Sequence, residues 1–147
     1  MTDVADFAAL VQRDRGLCVV STLRAAGTIQ SSVVNAGVLA HPVTGTQVIA
    51  FTTRGWAAKL ANLRARPLAT IVVRSGWEWA AAEGAAQIAG PADRLPGFDP
   101  EGLPALLRDV FIAAGGSHDD WPAYDRVMAE ERRAAVLITP ERVYSNG

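Results

Sequence analysis

Hydroxyls and cations gather in the stretch "FTTRGWAAKLANLRARP", residues 51–67. Thr52 and Thr53 bring hydroxyls, Arg54 a guanidinium and Lys59 an ammonium. The apolar run "QVIAFTT" (47–53) leads in without a gap, and Pro67 closes the stretch. It therefore reads as a strand turning into a short helix over about 55–66. A helix start exposes free N–H groups at the positive end of its dipole. Hydroxyls, free amides and a lysine one turn in are the parts of a phosphate cradle. At 100° per residue, Trp56, Leu60 and Leu63 share a stripe predicted to face the core. Lys59, Asn62 and Arg66 run along one flank of it, so Lys59 and Asn62 are aimed at the core's rim. The same cations also suit the solvated face of a short amphipathic helix, and geometry alone leaves both readings open.

Other residues have chemistry of their own. Gln30 and Ser32 alternate with Ser31 in an extended stretch and so share a face. That face is either an exposed strand or a cavity wall able to hydrogen-bond a flat heterocycle. Trp77 and Trp79 also share a strand face, near a hairpin tip, where they close a core, bury an interface or line a planar ligand. His41 and His118 sit in loops far apart, without metal-ligand spacing, and a zinc site is not expected. There is no nucleophile elbow, P-loop or dinucleotide-binding glycine motif. Paired catalytic carboxylates are not expected either. A pocket without acid–base machinery either only binds, or relies on a cofactor for the chemistry.

The elements that must position these residues follow from periodicity. A helix is predicted over 3–14, capped by Thr2 or Asp3 and ended by Gly16. "LCVVSTL" (17–23) reads as a buried strand, residues 28–40 as its hairpin partner and 47–53 as a third strand. Strands at 68–74 and 77–90 follow, with Gly84 marking a bulge or a close backbone approach. Helices are expected over about 101–115 and 121–132, the second capped by Asp119 or Asp120 with Pro122 in its first turn. Residues 134–140 make a sixth strand, and "RVYSNG" a short extension of the sheet. Tight connections and irregular alternation of helices with strands point to a mainly β, antiparallel barrel with flanking helices in a single domain, 1–147.

The chain has 147 residues, half of them hydrophobic, and a net charge of −1. Bulk charge announces no nucleic-acid or membrane surface. No apolar segment approaches the ~20 residues of a membrane span. The acidic start lacks the basic region of a signal peptide, so a cytoplasmic protein is expected. The one cysteine, Cys18, lies in an apolar run and reads as a small buried hydrophobe.

Three stretches carry a resemblance: "GTIQSSVV", "VIAFTTRGWAAKLANLRARPLATIVV", and "GWEWAAAEGAAQI" with "WPAYDRVMAEERRAAVLITPERVY". Their most specific pieces are K-x-x-N-L-R-x-x-P before an apolar strand and W-x-[YW]-x-x-x-E-G. Together they span nearly the whole chain. The sequence resembles the pyridoxamine 5'-phosphate oxidase-like split β-barrel flavoproteins, most closely the actinobacterial branch that uses the deazaflavin coenzyme F-420.

The resemblance implies a split barrel of about six antiparallel strands and a homodimer with cofactor sites at the subunit interface. It implies that Lys59 contacts the cofactor phosphate, with Thr52, Thr53 and Arg54 around the same strand end and Asn62 on the same helix flank. Gln30 and Ser32 would face the ring system, and Trp77 and Trp79 would arrive from the partner subunit. The reaction implied is hydride transfer to a small conjugated or unsaturated substrate, with no catalytic side-chain acid. FMN on the same fold is the alternative cofactor, and a binding or carrier protein without turnover the alternative role. Two positions depart from the pattern. Ala57 stands where relatives often carry a second basic residue, and Arg66 where they tend to carry Asp.

Overall fold

The computed structural model describes residues 2–146. Seven strands and four helices follow in the order α1 (Val4–Arg13), β1 (Leu17–Leu23), β2 (Ile29–Ala40), β3 (Gln47–Thr53), α2 (Ala58–Ala65), β4 (Leu68–Ser75), β5 (Glu78–Ala89), α3 (Leu103–Ala113), α4 (Trp121–Glu130), β6 (Ala134–Ile138) and β7 (Arg142–Ser145). A single 3-10 turn, Pro100–Gly102, leads into α3. Every strand pairing is antiparallel. The order β4-β1-β2-β3-β6-β5 closes on itself through the β4–β5 hairpin into a six-stranded barrel, and β7 extends it along β5.

Local sequence explains the elements. Asp3 caps α1 by accepting from the Ala5 and Asp6 amides, and Asp6 returns the bond to Asp3 in a capping box. Asp120 caps α4 by accepting from the Ala123 amide. Gly84 is a close approach: a Cβ built there would lie 1.7 Å from the Thr139 carbonyl oxygen, where β5 meets the chain leaving β6.

The barrel interior is filled by alternate strand residues, among them Val20, Ile49, Phe51, Ile71, Val73 and Val136. Phe7, Leu10 and Val11 of α1 join this core where β1 begins. Leu60 and Leu63 of α2 join it near the far end of β1, where Arg66 reaches the Leu23 carbonyl. A second core lies outside the barrel, where Leu106, Leu107 and Val110 of α3 cover Val48, Ala50, Ala135 and Leu137. Strands β3 and β6 are thus apolar on both faces because both faces are covered.

Two expectations need correction. Trp56 was expected in the core stripe with Leu60 and Leu63, yet it is 66 % exposed. The helix begins at Ala58, so Trp56 precedes it and the wheel does not reach back that far. Strand β1, expected to be buried, is buried on one face only: Cys18, Val20 and Thr22 point inward, while Leu17, Val19 and Leu23 are exposed. Among the described residues no helix covers that outer face.

Candidate functional site

The end of β3, the start of α2, the middle of β2 and the α3–α4 hairpin enclose a cleft of about 530 Å³. Its floor comes from Val33, Val34, Thr52 and Thr53, its cations from Arg54, Lys59 and Arg133, and its opposite wall from Phe111, Tyr124 and Met128. Trp56 and Ala57 stand at the turn between them.

Lys59 is the only lysine of the chain. It is half-buried, and its Nζ donates to Thr53 Oγ1 at 3.5 Å. Burial pushes its pKa below the ordinary lysine value, and the neighbouring positive charge of Arg133 pushes the same way. No carboxylate forms an ion pair with it among the described residues. A half-buried cation held by one hydroxyl is an open place for an anion.

The other two cations share a carboxylate. Arg133 Nε donates to Glu131 Oε1 at 2.9 Å, and Arg54 Nε lies 3.4 Å from Glu131 Oε2. These guanidinium groups, the hydrogen bond from Arg133 first, hold the Glu131 carboxyl below its usual range. Backbone packing brings the groups together. The Gly55 amide donates to the Glu131 carbonyl at 3.1 Å, and a Cβ on residue 55 would come within 2.6 Å of the Arg132 carbonyl oxygen. Glycine there lets the end of α4 dock on the β3–α2 junction.

The apolar wall is rigid. The Tyr124 hydroxyl donates to the Leu107 carbonyl at 3.1 Å, and burial raises the phenol pKa. Its ring lies 5.0 Å from Phe111 and 5.3 Å from Trp121, centroid to centroid. An ion pair between Arg108 and Asp125 ties α3 to α4. The cleft therefore has a cationic end and an aromatic side, suited to an anionic group attached to an apolar or planar body.

The sequence-predicted residues divide. Thr52, Thr53, Arg54 and Lys59 meet in the cleft. Asn62 and Gln30 meet each other instead: Asn62 Nδ2 donates to Thr22 Oγ1 at 3.1 Å, and that hydroxyl donates to Gln30 Oε1 at 3.2 Å. Ser32 lies between this chain and the cleft, two residues before Val34 on the same strand face. Its Oγ is buried without a hydrogen-bond partner. Trp77 is 93 % exposed at the β4–β5 tip, and Trp79 makes an edge-on contact with Tyr144 at 6.1 Å. Both line a separate depression with Val72, Arg74 and Gly76, so one chain does not bring them to Lys59.

The remaining cations of the opening stretch have structural partners. Arg64 makes a bidentate pair with Asp93, at 2.8 and 2.7 Å. Arg66 Nε donates to the Leu23 carbonyl at 2.8 Å. Cys18 is buried, and burial pushes its thiol pKa up to about 12, too high for a reactive thiolate near neutrality. His41 is buried too. Its Nδ1 accepts from the Val43 and Thr44 amides, and its Nε2 therefore donates to Gln87 Oε1 at 2.8 Å.

Arg133, Glu131 and the aromatic wall were missed by sequence reasoning. "EERRAA" resembles a solvated charge run. The available signal was its position: two arginines directly before a fully buried strand must flank whatever covers that strand's end.

One more surface bears on function. On the outward face of β1, β2 and β4, the cross-strand pairs Leu23–Ile29 and Val19–Val33 stand beside Val72 and Leu68. Ile29, Val33 and Leu68 are each more than 60 % exposed. A polar row of Ser31, Ser21 and Thr70 separates the two apolar groups on this face, with the Ser21 and Ser31 hydroxyls hydrogen-bonded at 2.8 Å.

No protein-family model matches the sequence. Solved structures do match in fold. A conserved hypothetical protein from Mycobacterium tuberculosis superposes with a TM-score of 0.68 at 20% identity, covering 99% of this chain and 84% of that one. A pyridoxamine 5'-phosphate oxidase-related, FMN-binding protein from Nostoc punctiforme gives 0.66 at 14% identity, covering 96% and 81%. An F-420 reductase gives 0.59 at 18% identity, covering 88% and 90%. The fold is the split β-barrel of pyridoxamine 5'-phosphate oxidase-like, FMN-binding proteins.

Proposed function

We propose that this protein is an oxidoreductase dependent on the deazaflavin coenzyme F-420, acting on a small conjugated or unsaturated organic substrate. The observation that carries the reading is Lys59, a half-buried cation without a carboxylate partner, at a threonine-lined strand end of this barrel. The residues present fit a phosphorylated, flavin-like group. Lys59 and the Thr52–Thr53 hydroxyls would hold its phosphate, while Arg54 and Arg133 add to the field. The Ser32 hydroxyl, buried behind the cleft-lining Val33 and Val34, has no hydrogen-bond partner of its own. Phe111, Tyr124 and Met128 would keep water from one side. When bound, the deazaflavin supplies the hydride; the protein binds and orients, and no side chain of the cleft is needed as an acid.

The exposed sheet face and Trp77 support a homodimer, in which Trp77 and Trp79 of one protomer reach the cleft of the other. Trp77→Ala is then expected to shift sedimentation toward monomer or to weaken cofactor binding by tenfold or so. A variant that stays dimeric and binds normally would remove Trp77 from the site.

FMN is the second reading. The FMN-binding Nostoc neighbour of the same fold favours it. Titrating purified protein with F-420 and with FMN, following each cofactor's fluorescence, separates the two. Saturable binding of FMN alone overturns the F-420 assignment. F-420 binding without oxidation of its reduced form by enones or quinones points to a carrier.

A further inference from the structure

Glu131 occupies a position that binding alone does not call for. Arg54 and Arg133 both line the cleft, Glu131 does not, and yet its carboxylate contacts both, at 3.4 and 2.9 Å. Arg54, Lys59 and Arg133 bring three positive charges to one end of the cleft, and Glu131 returns one negative charge. The Gly55 amide, bonded to the Glu131 carbonyl, places residue 131 beside the β3–α2 junction. Its carboxylate sits against both guanidinium groups before any ligand arrives. An anion entering the cleft meets Lys59 uncompensated and the two arginines already half-neutralised.

Resting on the anion-binding reading of this cleft, we propose that Glu131 is a charge-balancing residue that sets its affinity for anions. It positions Arg54 and Arg133 at the wall while cancelling part of their charge, so that the ligand's anionic group is held mainly by Lys59 and can leave again. Glu131 touches no ligand in this scheme; it acts through the two guanidinium groups. Its charge, more than its shape, is the active property. An isosteric amide keeps an acceptor oxygen for a guanidinium and leaves the backbone bond to Gly55 untouched, yet removes the opposing charge.

The test is calorimetric titration of the full-length protein with inorganic pyrophosphate, at two salt concentrations. Glu131→Gln is expected to bind about fivefold more tightly than wild type, with a steeper loss at high salt, as for a pair of this exposure. Glu131→Asp, which keeps the charge, is expected to stay within about twofold of wild type. Arg133→Gln removes a cation and leaves Glu131 opposing Lys59 and Arg54, and is expected to weaken binding by about tenfold. Unchanged or weaker binding by Glu131→Gln with a native melting curve overturns the proposal, and so does Glu131→Asp behaving like Glu131→Gln. Should Glu131→Gln melt early, a less than twofold change in Arg133→Gln overturns it instead. Lys59→Ala separates the two levels of inference. If it leaves pyrophosphate binding intact, the anion site itself is misplaced; if it weakens binding while Glu131→Gln fails to tighten it, only the role of Glu131 falls.

Discussion

The two ends of the α2 segment carry similar charges and use them differently. Arg64 and Arg66, at the C-terminal end, both have partners within the chain. One grips Asp93 with both arms of its guanidinium, and the other ties down the last carbonyl of β1. Lys59, at the N-terminal end, has one hydroxyl and, among the described residues, no carboxylate. Its pKa is lowered because burial removes water without supplying a counter-charge. The difference separates cations bound within the fold from a cation that has no counter-charge there among the described residues. Sequence shows the charges; only the fold shows which carboxylate lies opposite.

The largest effect that would break this comparison is on binding. Under the proposed function Lys59→Met removes a charge-assisted contact to the phosphate, and affinity for F-420 or FMN is expected to fall about ten- to a hundredfold. Because the substitution also removes an uncompensated half-buried charge, melting temperature is expected to hold or rise. Arg64→Met should do the reverse: it leaves Asp93 unpaired, costs about 1 kcal/mol of stability, and leaves affinity within about twofold. Fluorescence titration and thermal melts on both variants settle the matter. A Lys59→Met protein that melts well below wild type would make Lys59 structural, and the two ends alike.

Much of the architecture was legible because periodicity and punctuation agreed. All six predicted barrel strands form, "RVYS" extends the sheet as expected, and Asp3 and Asp120 cap the helices they precede. What the sequence hid were facts about coverage. "LCVVSTL" and "QVIAFTT" look equally apolar, yet β3 is covered on both sides and β1 is bare on one. The difference lies in α3, which packs against β3 more than fifty residues downstream. Trp56 was misread because a turn of residues precedes α2, a boundary that Ala57 and Ala58 do nothing to announce. In the site, Thr52, Thr53, Arg54 and Lys59 were legible because they are neighbours in sequence. Arg133 and Glu131 were not, because only the docking of α4 on Gly55 brings them there.

A smaller effect tests the electrostatic half of the comparison. The folded pKa of Lys59 lies below its unfolded value. Between those two values the unfolded chain binds more protons, so this group makes stability rise with pH there, and its burial costs stability at neutral pH. Anion binding has the opposite trend: it weakens as pH rises through the lowered pKa, before an ordinary lysine would titrate. Since Lys59 is the only lysine, the pH dependence of its modification by an amine-selective reagent reads this titration directly, with the terminal amine resolved by peptide mapping. A midpoint at or above the ordinary lysine value would mean that a carboxylate reaches Lys59 in solution, and the contrast with Arg64 would be lost.

The smallest expected effect concerns Arg66, the residue before Pro67 at the end of the α2 segment. Its Nε is committed to the Leu23 carbonyl, at the mouth of the barrel where β1 ends. Arg66→Ala removes one charged donor from a partly solvated carbonyl that water can satisfy, so the expected loss of stability is about 0.5 kcal/mol. Affinity for FMN, which has one phosphate and no anionic tail, is expected not to change. F-420, with its polyglutamate tail, is the sharper probe. If Arg66→Ala weakens F-420 binding severalfold while FMN binding and melting temperature stay put, the guanidinium leaves Leu23 to meet the tail. Arg66 would then belong with Lys59, and the functional end of α2 would extend along the whole flank.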